Sequence, residues 1–232
     1  MQGLRAVLFD KDGTLFDFHA TWAEWTARVV RDLADGDAAR GAALAAAIGF
    51  DLGARRFDPA SPVIAGTPEE LTATLLPHLP GTPAAALTAR LVTAAAEAPL
   101  VPAVPLAPLM AVLRARNLHL GVATNDAEAP ARAHLAAMGV LTAFDFIAGY
   151  DSGYGAKPEP GMLLAFAAAM GLAPAQVLMV GDSRHDLHAG RAAGMRTAGV
   201  LTGLATEADL APLADRVLPD IGALPALLDA GL

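Results

Sequence analysis

The sequence has no cysteine, few aromatic residues and little charge. The absence of cysteine excludes a disulfide framework, a thiolate nucleophile and a cysteine-based metal site. Charged residues make up only 17% of the chain and apolar residues 54%, which is ample for a core in 232 residues and argues against disorder. There is also no uncharged apolar run of about 18 residues, so we expect no segment to span a membrane.

Positive charge is the scarcer sign. The 16 basic residues face 24 acidic ones, which gives a formal net charge of −8 and a pI near 5.1. This excess of negative charge argues against a nucleic-acid partner held by a general basic field, and we expect none. An anionic small substrate stays open, because a metal and one or two cations can reverse the local sign. The first residues run directly into an apolar strand and leave no room for a signal peptide, which predicts a cytoplasmic protein. Both a monomer and a homodimer are compatible with the sequence.

Lysine is rarer still. The chain holds two lysines, Lys11 and Lys157, against fourteen arginines. A composition that otherwise uses arginine indicates that Lys157 serves a site that needs a compact ammonium group. The alternative is a solvated loop residue. Lys11 occupies a variable position inside an acidic motif, and the sequence assigns it no chemical role.

The chain is organised around the stretch from Leu4 to Leu15. Ala6 to Phe9 form an apolar run typical of a buried strand, which ends abruptly in Asp10-Lys11-Asp12-Gly13-Thr14. Two carboxylates so close together cannot both be core residues without partners. The alternative to a ligand site is a strand that runs into a solvated acidic turn.

After this stretch the pattern is helical up to about Leu100, with no convincing strand. Residues 49–66 have the composition of a loop, and Thr67-Pro68 is typical of a helix start. Beyond the stiff segment Pro99 to Pro105, short apolar strands alternate with helices. The predicted strands cover residues 119–123, 144–148, 177–180, 197–201 and 216–218. This alternation predicts a parallel, doubly wound α/β sheet with a helical insertion at its ligand-binding edge.

Four short motifs follow one another along the chain: Asp10–Leu15, Thr124–Asn125, Lys157–Pro158 and Gly181–Asp186. In this order they resemble the motifs of the haloacid dehalogenase superfamily, and Val180–Gly194 is especially similar to its phosphoglycolate phosphatase-like branch. The resemblance covers essentially the whole chain. It implies a Rossmann-like core of residues 1–16 and 101–232 with an inserted α-helical cap of residues 17–100.

The resemblance also implies a reaction, the Mg²⁺-dependent hydrolysis of a small phosphorylated metabolite through an aspartyl-phosphate. Asp10 would be the nucleophile and Asp12 the general acid and base. Thr124, Asn125 and Lys157 would hold the transferring phosphoryl group.

The same resemblance implies a set of magnesium ligands. They are the carboxylates of Asp10 and Asp182 and the main-chain carbonyl of Asp12, with Asp186 in support through water.

Other activities of the superfamily fit the sequence less well. Dehalogenases lack a second acid where this chain has Asp12. Phosphonatases need a cap lysine, and none occurs between Phe16 and Ala156; the same absence weakens a sugar-phosphate mutase. Transport ATPases need membrane spans. A sugar-phosphate phosphatase or mutase of the same superfamily, or a catalytically silent binding protein on this fold, remain the alternatives.

The sequence says little about the substrate itself. Arg55 and Arg56 lie in the cap and could bind a carboxylate or second phosphate of the substrate, although the sequence slightly favours a solvated arginine pair. His19 could contact the leaving group or pack on Trp22. His185 and His188 are expected on an exposed helix face.

Overall fold

The computed structural model describes residues 3–231. The expected core boundaries at residues 1 and 232 therefore lie outside the described residues. In chain order the strands are β1 (Ala6–Phe9), β2 (Phe50–Asp51), β3 (Arg56–Phe57), β4 (His119–Ala123), β5 (Phe146–Ala148), β6 (Val177–Gly181), β7 (Arg196–Val200) and β8 (Arg216–Leu218).

Helices connect these strands. In chain order they are α1 (Phe18–Ala34), α2 (Ala38–Ala47), α3 (Pro62–Ala65), α4 (Pro68–Leu75), α5 (Ala84–Ala96), α6 (Leu106–Ala115), α7 (Glu128–Ala137), α8 (Gly161–Ala169), α9 (Arg184–Ala192), α10 (Glu207–Leu210) and α11 (Leu224–Ala230). None of the helices in the described part of the chain combines the length and apolarity that a bilayer crossing requires.

Six strands form one sheet in the order β5-β4-β1-β6-β7-β8, and every neighbouring pair is parallel. Side chains alternate between its two faces, as the pleat of a strand requires. Val7 and Phe9 pack into the cluster that contains Leu109 and Leu135, from α6 and α7. Leu8 packs on the opposite face with Phe166 of α8. Helices therefore cover both faces, which confirms the predicted doubly wound α/β core.

Residues 18–98, between β1 and α6, form a largely helical unit with its own apolar cluster, called the cap below. Its apolar side chains make a cluster of their own, in which α1 packs against α2 and α5, and α4 packs against α5 and α2. The expectation that this region contains no strand is wrong at one place, because β2 and β3 pair as a short antiparallel hairpin. The Asp51 carboxylate accepts hydrogen bonds from the N–H groups of Gly53 and Ala54, both at 2.8 Å, and so stabilises the turn.

The predicted loop of residues 49–66 also contains helix α3, which begins after Ser61. The Ser61 hydroxyl donates to the Ile48 carbonyl at 2.6 Å, and the same oxygen accepts from the Val63 N–H, so a serine cap starts a helix of one turn. Helix α4 begins as its sequence predicts, with Thr67 and Glu70 in a reciprocal capping arrangement. Together α3 and the start of α4 bring a short apolar segment over the carboxyl edge of the sheet.

Candidate active site

Polar side chains follow three neighbouring strands at the carboxyl edge of the sheet. Asp10 comes directly after β1, Thr124 after β4 and Asp182 after β6, and Lys157 reaches the same point from the loop before α8. All four line one cavity between the core and the cap. The core contributes further lining residues: Asp12, Asn125, Asp126, Ser183, His185 and Asp186.

Lys157 lies between two carboxylates in this cavity. Its ammonium group donates to an oxygen of Asp10 and to Oδ1 of Asp186, the latter at 2.6 Å, and its side chain is only 3% exposed. Burial alone would lower the pKa of Lys157, but the charges of Asp10 and Asp186 outweigh it and raise the pKa above its usual value. Lys157 is therefore a permanent cation beside Asp10, the expected nucleophile.

Asp186 owes its orientation to the start of α9. Its Oδ2 accepts from the N–H of Ser183 at 3.0 Å and from the Ser183 hydroxyl at 2.6 Å, in a capping arrangement. Both carboxylate oxygens are thus already bonded within the protein. The structure places Asp186 as the partner of Lys157 as well as beside the expected metal ligands.

Asp10 and Asp182 are buried acids with too little positive charge around them. Burial raises the pKa of Asp10 to about 7 despite the opposing charge of Lys157. Burial, followed by the charges of Asp186 and Asp10, raises the pKa of Asp182 well above its usual value. A further cation would therefore stabilise the ionised form of these crowded carboxylates.

This arrangement fits a hard divalent cation. One carboxylate oxygen from each of Asp10, Asp182 and Asp186 lies within 4.8 Å of the others. The backbone of Gly13 and Gly203 closes around the Asp182 carboxylate so tightly that a Cβ at either position would overlap it. Gly13 also has a φ of +87°, which glycine adopts without strain. All-oxygen donors at this spacing match the preference of Mg²⁺.

Thr124 and Asn125 differ in the hydrogen-bonding groups that their side chains keep available for a ligand. The Thr124 hydroxyl oxygen accepts from the Asp126 N–H at 3.1 Å, so its own proton remains available to a ligand. The Asn125 amide is fully used by the protein. It donates to the carbonyls of Lys157 (2.9 Å) and Ala65 (2.8 Å), and its oxygen accepts from the Lys157 N–H at 2.9 Å. Asn125 thus fixes the Lys157 backbone and joins the core to the cap.

A family model for haloacid dehalogenase-like hydrolases matches residues 4–194. The chain belongs to this family. Phosphoglycolate phosphatase of Escherichia coli (strain K12) is 38% identical over 94 residues, 40% of this chain and 37% of that protein. Probable phosphatase IndB of Dickeya dadantii (strain 3937) is 36% identical over 124 residues, 51% of this chain and 54% of that protein. The matched stretch thus spans about a third to a half of these relatives.

A solved structure shares the fold over nearly the whole chain. CbbY from Rhodobacter sphaeroides, in complex with phosphate, has a TM-score of 0.69 and 25% identity over 95% of this chain and 96% of its own. The arrangement of the core and the cap is therefore one that this chain shares with a solved structure.

One feature of this haloacid dehalogenase-like hydrolase that the sequence reasoning missed is the position of Lys11. The side chain is fully buried, and its ammonium group contacts both oxygens of Asp12 (2.9 and 2.8 Å), Oδ2 of Asp126 (3.0 Å) and Nδ1 of His134 (3.1 Å). Burial lowers the pKa of Lys11, but the charges of Asp12 and Asp126 raise it further, with a net rise. The scarcity of lysine in the sequence is the feature from which a specific role for Lys11 could have been predicted.

His134 extends this cluster to the cap. Its Nε2 lies 2.8 Å from the Ala95 carbonyl of α5 and donates to it, so Nδ1 is the acceptor for the Lys11 ammonium group. Burial, and next the charge of Lys11, lower the pKa of His134, which keeps the ring neutral. The general acid and base expected at Asp12 is therefore connected to the cap through two side chains.

The structure does not bring the two cap arginines to the cavity. Arg55 pairs with Glu24 of α1 on the exposed side of the cap, and its carbonyl is 2.9 Å from Nε2 of His19. Arg56 is exposed in β3, and neither arginine lines the cavity. Arg55 ends the turn of the β2–β3 hairpin and Arg56 begins β3, and both residues are exposed there. On the core side, His185 is exposed and lines the cavity rim.

Proposed function

We propose that the chain hydrolyses a small phosphomonoester, with Mg²⁺, through an aspartyl-phosphate intermediate, and that residues 17–100 form the cap that covers the reaction. The observation that carries this proposal is the convergence of Asp10, Asp182, Lys157 and Thr124 on one cavity. The family membership and the phosphatase names of its relatives support it.

In the first step an Asp10 carboxylate oxygen attacks phosphorus, and the bond from phosphorus to the ester oxygen breaks. Asp12 gives its proton to the departing alkoxide, which leaves as an alcohol. In the second step Asp12 takes a proton from water, the water oxygen attacks phosphorus, and the bond to Asp10 breaks. Inorganic phosphate and the free Asp10 carboxylate result.

The protein's own cations and donors hold the phosphoryl oxygens during both steps. Lys157 supplies a fixed positive charge, and the Thr124 hydroxyl supplies a hydrogen-bond donor. Asp10 and Asp182, with the Asp12 carbonyl, would hold Mg²⁺, and Asp186 would support it. When bound, the cation neutralises the charge that a phosphate brings to four carboxylates.

The test is Asp10→Asn with p-nitrophenyl phosphate as substrate. We expect turnover to fall by at least roughly 10³-fold, because the amide cannot form the covalent intermediate. Asp51→Asn is the matched control, since its side-chain oxygen can still accept the two turn hydrogen bonds far from the cavity. Near-normal activity of Asp10→Asn would remove the assigned nucleophile, and a folded wild type without Mg²⁺-dependent turnover would favour the binding protein instead.

A further inference from the structure

The ammonium group of Lys11 is enclosed by acceptors at the boundary between the core and the cap. The Lys11 side chain is fully buried. Its three N–H donors face three acceptor groups, which are the Asp12 carboxylate, the Asp126 carboxylate and Nδ1 of His134. On the cap side the ammonium group lies 5.4 Å from the centroid of the Trp22 ring, within the range of a cation–π contact. The loss of one acceptor would leave a buried donor without a partner, so each of them helps to fix the ammonium group.

This enclosure holds Asp12 by both of its carboxylate oxygens. The Lys11 ammonium group lies 2.9 Å from Oδ1 and 2.8 Å from Oδ2, and no other group of the described residues donates a hydrogen bond to that carboxylate. Asp12 also lines the cavity, and its oxygens have about four lone-pair positions in all, which leaves positions free for a substrate. The direction in which Asp12 faces the cavity therefore depends on where the ammonium group is held.

His134 is itself fixed where the cap joins the core. The two connecting segments run side by side there, with Phe16 paired to Pro102. The buried His134 ring packs edge to face against Phe16, with centroids 6.1 Å apart, and its Nε2 donates to the Ala95 carbonyl at 2.8 Å. Because this nitrogen donates to Ala95, the other ring nitrogen is free to accept from Lys11.

We propose that His134 is a positioning residue for Asp12, the general acid and base of the proposed function, and that it acts through Lys11. This inference rests on the proposed function and deepens it. The alternative is that His134 only stabilises the junction between the core and the cap. A displaced Asp12 slows the esters whose leaving group needs a proton, whereas a loosened fold slows all esters alike.

The dependence of kcat/KM on the leaving group distinguishes these alternatives. We compare p-nitrophenyl phosphate, phenyl phosphate and propyl phosphate, whose leaving groups need a proton to an increasing degree. His134→Leu removes both hydrogen bonds of the ring. We expect kcat/KM for propyl phosphate to fall by about tenfold and that for p-nitrophenyl phosphate to stay within about twofold, with phenyl phosphate between them. His134→Gln carries one donor and one acceptor, and it should restore propyl phosphate to within about threefold of the wild type.

A double variant shows whether His134 acts through Lys11. Once Lys11→Met has removed the ammonium group, the ring has nothing left to position. Adding His134→Leu to Lys11→Met should therefore change kcat/KM for propyl phosphate by no more than about twofold. Leu135→Ala is the matched control, since it alters an apolar neighbour on the same helix that packs into the core cluster. It should lower the Tm and leave the ratio of the three esters unchanged.

NMR of the ring nitrogens tests the contact without turnover, in the wild type and in Lys11→Met, with His134→Gln to assign the signals. We expect the proton on Nε2 of His134, and we expect Lys11→Met to shift the Nδ1 signal more than the Nε2 signal. A proton on Nδ1, an Nδ1 signal that Lys11→Met leaves in place, equal losses for all esters in His134→Leu, or losses that multiply in the double variant would overturn the inference. Failure of the wild type to hydrolyse any of the esters would overturn the proposed function itself.

Discussion

The cavity has a core wall built from charged groups and a cap wall built from apolar ones. Every ionised side chain of the core wall has a partner of opposite charge or a tight backbone enclosure, as Lys157, Asp186 and Asp182 illustrate. The described lining residues of the cap wall, Trp22 and Trp25 among them, carry no charge. Under the proposed function, the core wall would bind the phosphoryl group and the cap wall would contact the rest of the substrate.

The largest effect should come from Asp182→Asn, which alters the core wall without changing its shape. We expect activity to fall by roughly 10³-fold, because the charge that would hold the metal is lost. Metal-free stability should rise instead, with a Tm gain of about 2–4 °C for each kcal/mol of relieved repulsion. Assays with p-nitrophenyl phosphate and thermal unfolding in EDTA measure the two effects.

The pH dependence of stability sharpens this prediction. Burial and the neighbouring acids raise the pKa of Asp182 in the folded state, so the folded protein keeps a proton that the unfolded chain has lost. Metal-free stability therefore declines as the pH rises above the unfolded value of 3.8. Asp182→Asn should flatten that decline, and a variant as pH-sensitive as the wild type would contradict the assignment.

A smaller effect should follow from Lys11→Met, which removes the charge that holds Asp12. Expulsion of an alkyl alcohol needs the proton of Asp12, whereas p-nitrophenolate leaves without one. We expect kcat/KM for an alkyl phosphate to fall by about 10²-fold and that for p-nitrophenyl phosphate by only about threefold. Equal losses for both esters would show that Lys11 stabilises the fold without orienting Asp12.

Asn125→Ala tests the connection between the two walls. It removes three hydrogen bonds, two to the Lys157 backbone and one to the cap carbonyl of Ala65. We expect kcat/KM to fall by about tenfold through a displaced Lys157. Asn125→Asp is the control, since it keeps the acceptor for the Lys157 N–H and loses both donors. An unchanged kcat/KM in Asn125→Ala would mean that the loop holds Lys157 without this amide.

The smallest effect should come from Arg55→Ala and Arg56→Ala. Both residues are exposed on the cap and outside the cavity, and the pair of Arg55 with Glu24 is a surface ion pair of small energetic value. We expect KM for every ester to stay within about twofold of the wild type. A selective rise in KM for acidic esters would restore these arginines to substrate recognition and weaken the apolar interpretation of the cap.

Much of the core wall is predictable from sequence because its geometry is that of the sheet. Polar residues that follow parallel strands lie at one edge of the sheet, so the sequence alone predicts that Asp10, Thr124 and Asp182 lie close together. The cap wall is different. Its lining depends on how α3 and α4 pack over the edge, and no local pattern gives that packing.

Individual side chains show the same limit. Nothing near Arg55 in sequence indicates that its partner is Glu24, since that contact depends on how the hairpin folds against α1. The turn of the hairpin, by contrast, is indicated by the sequence, because Asp51 and Gly53 are residue types typical of turns. The role of Lys11 needed the positions of Asp126 and His134, which lie more than a hundred residues away along the chain.

The amide of Asn125 has a consequence for what happens between reaction cycles. Under the proposed function a departing alcohol would have to pass the cap, and any motion that lifts Ala65 from the core breaks one of the three hydrogen bonds of that amide. The two bonds to Lys157 belong entirely to the core and survive. If the cap opens in that reaction, these two hydrogen bonds would keep the Lys157 backbone in place for the next phosphate.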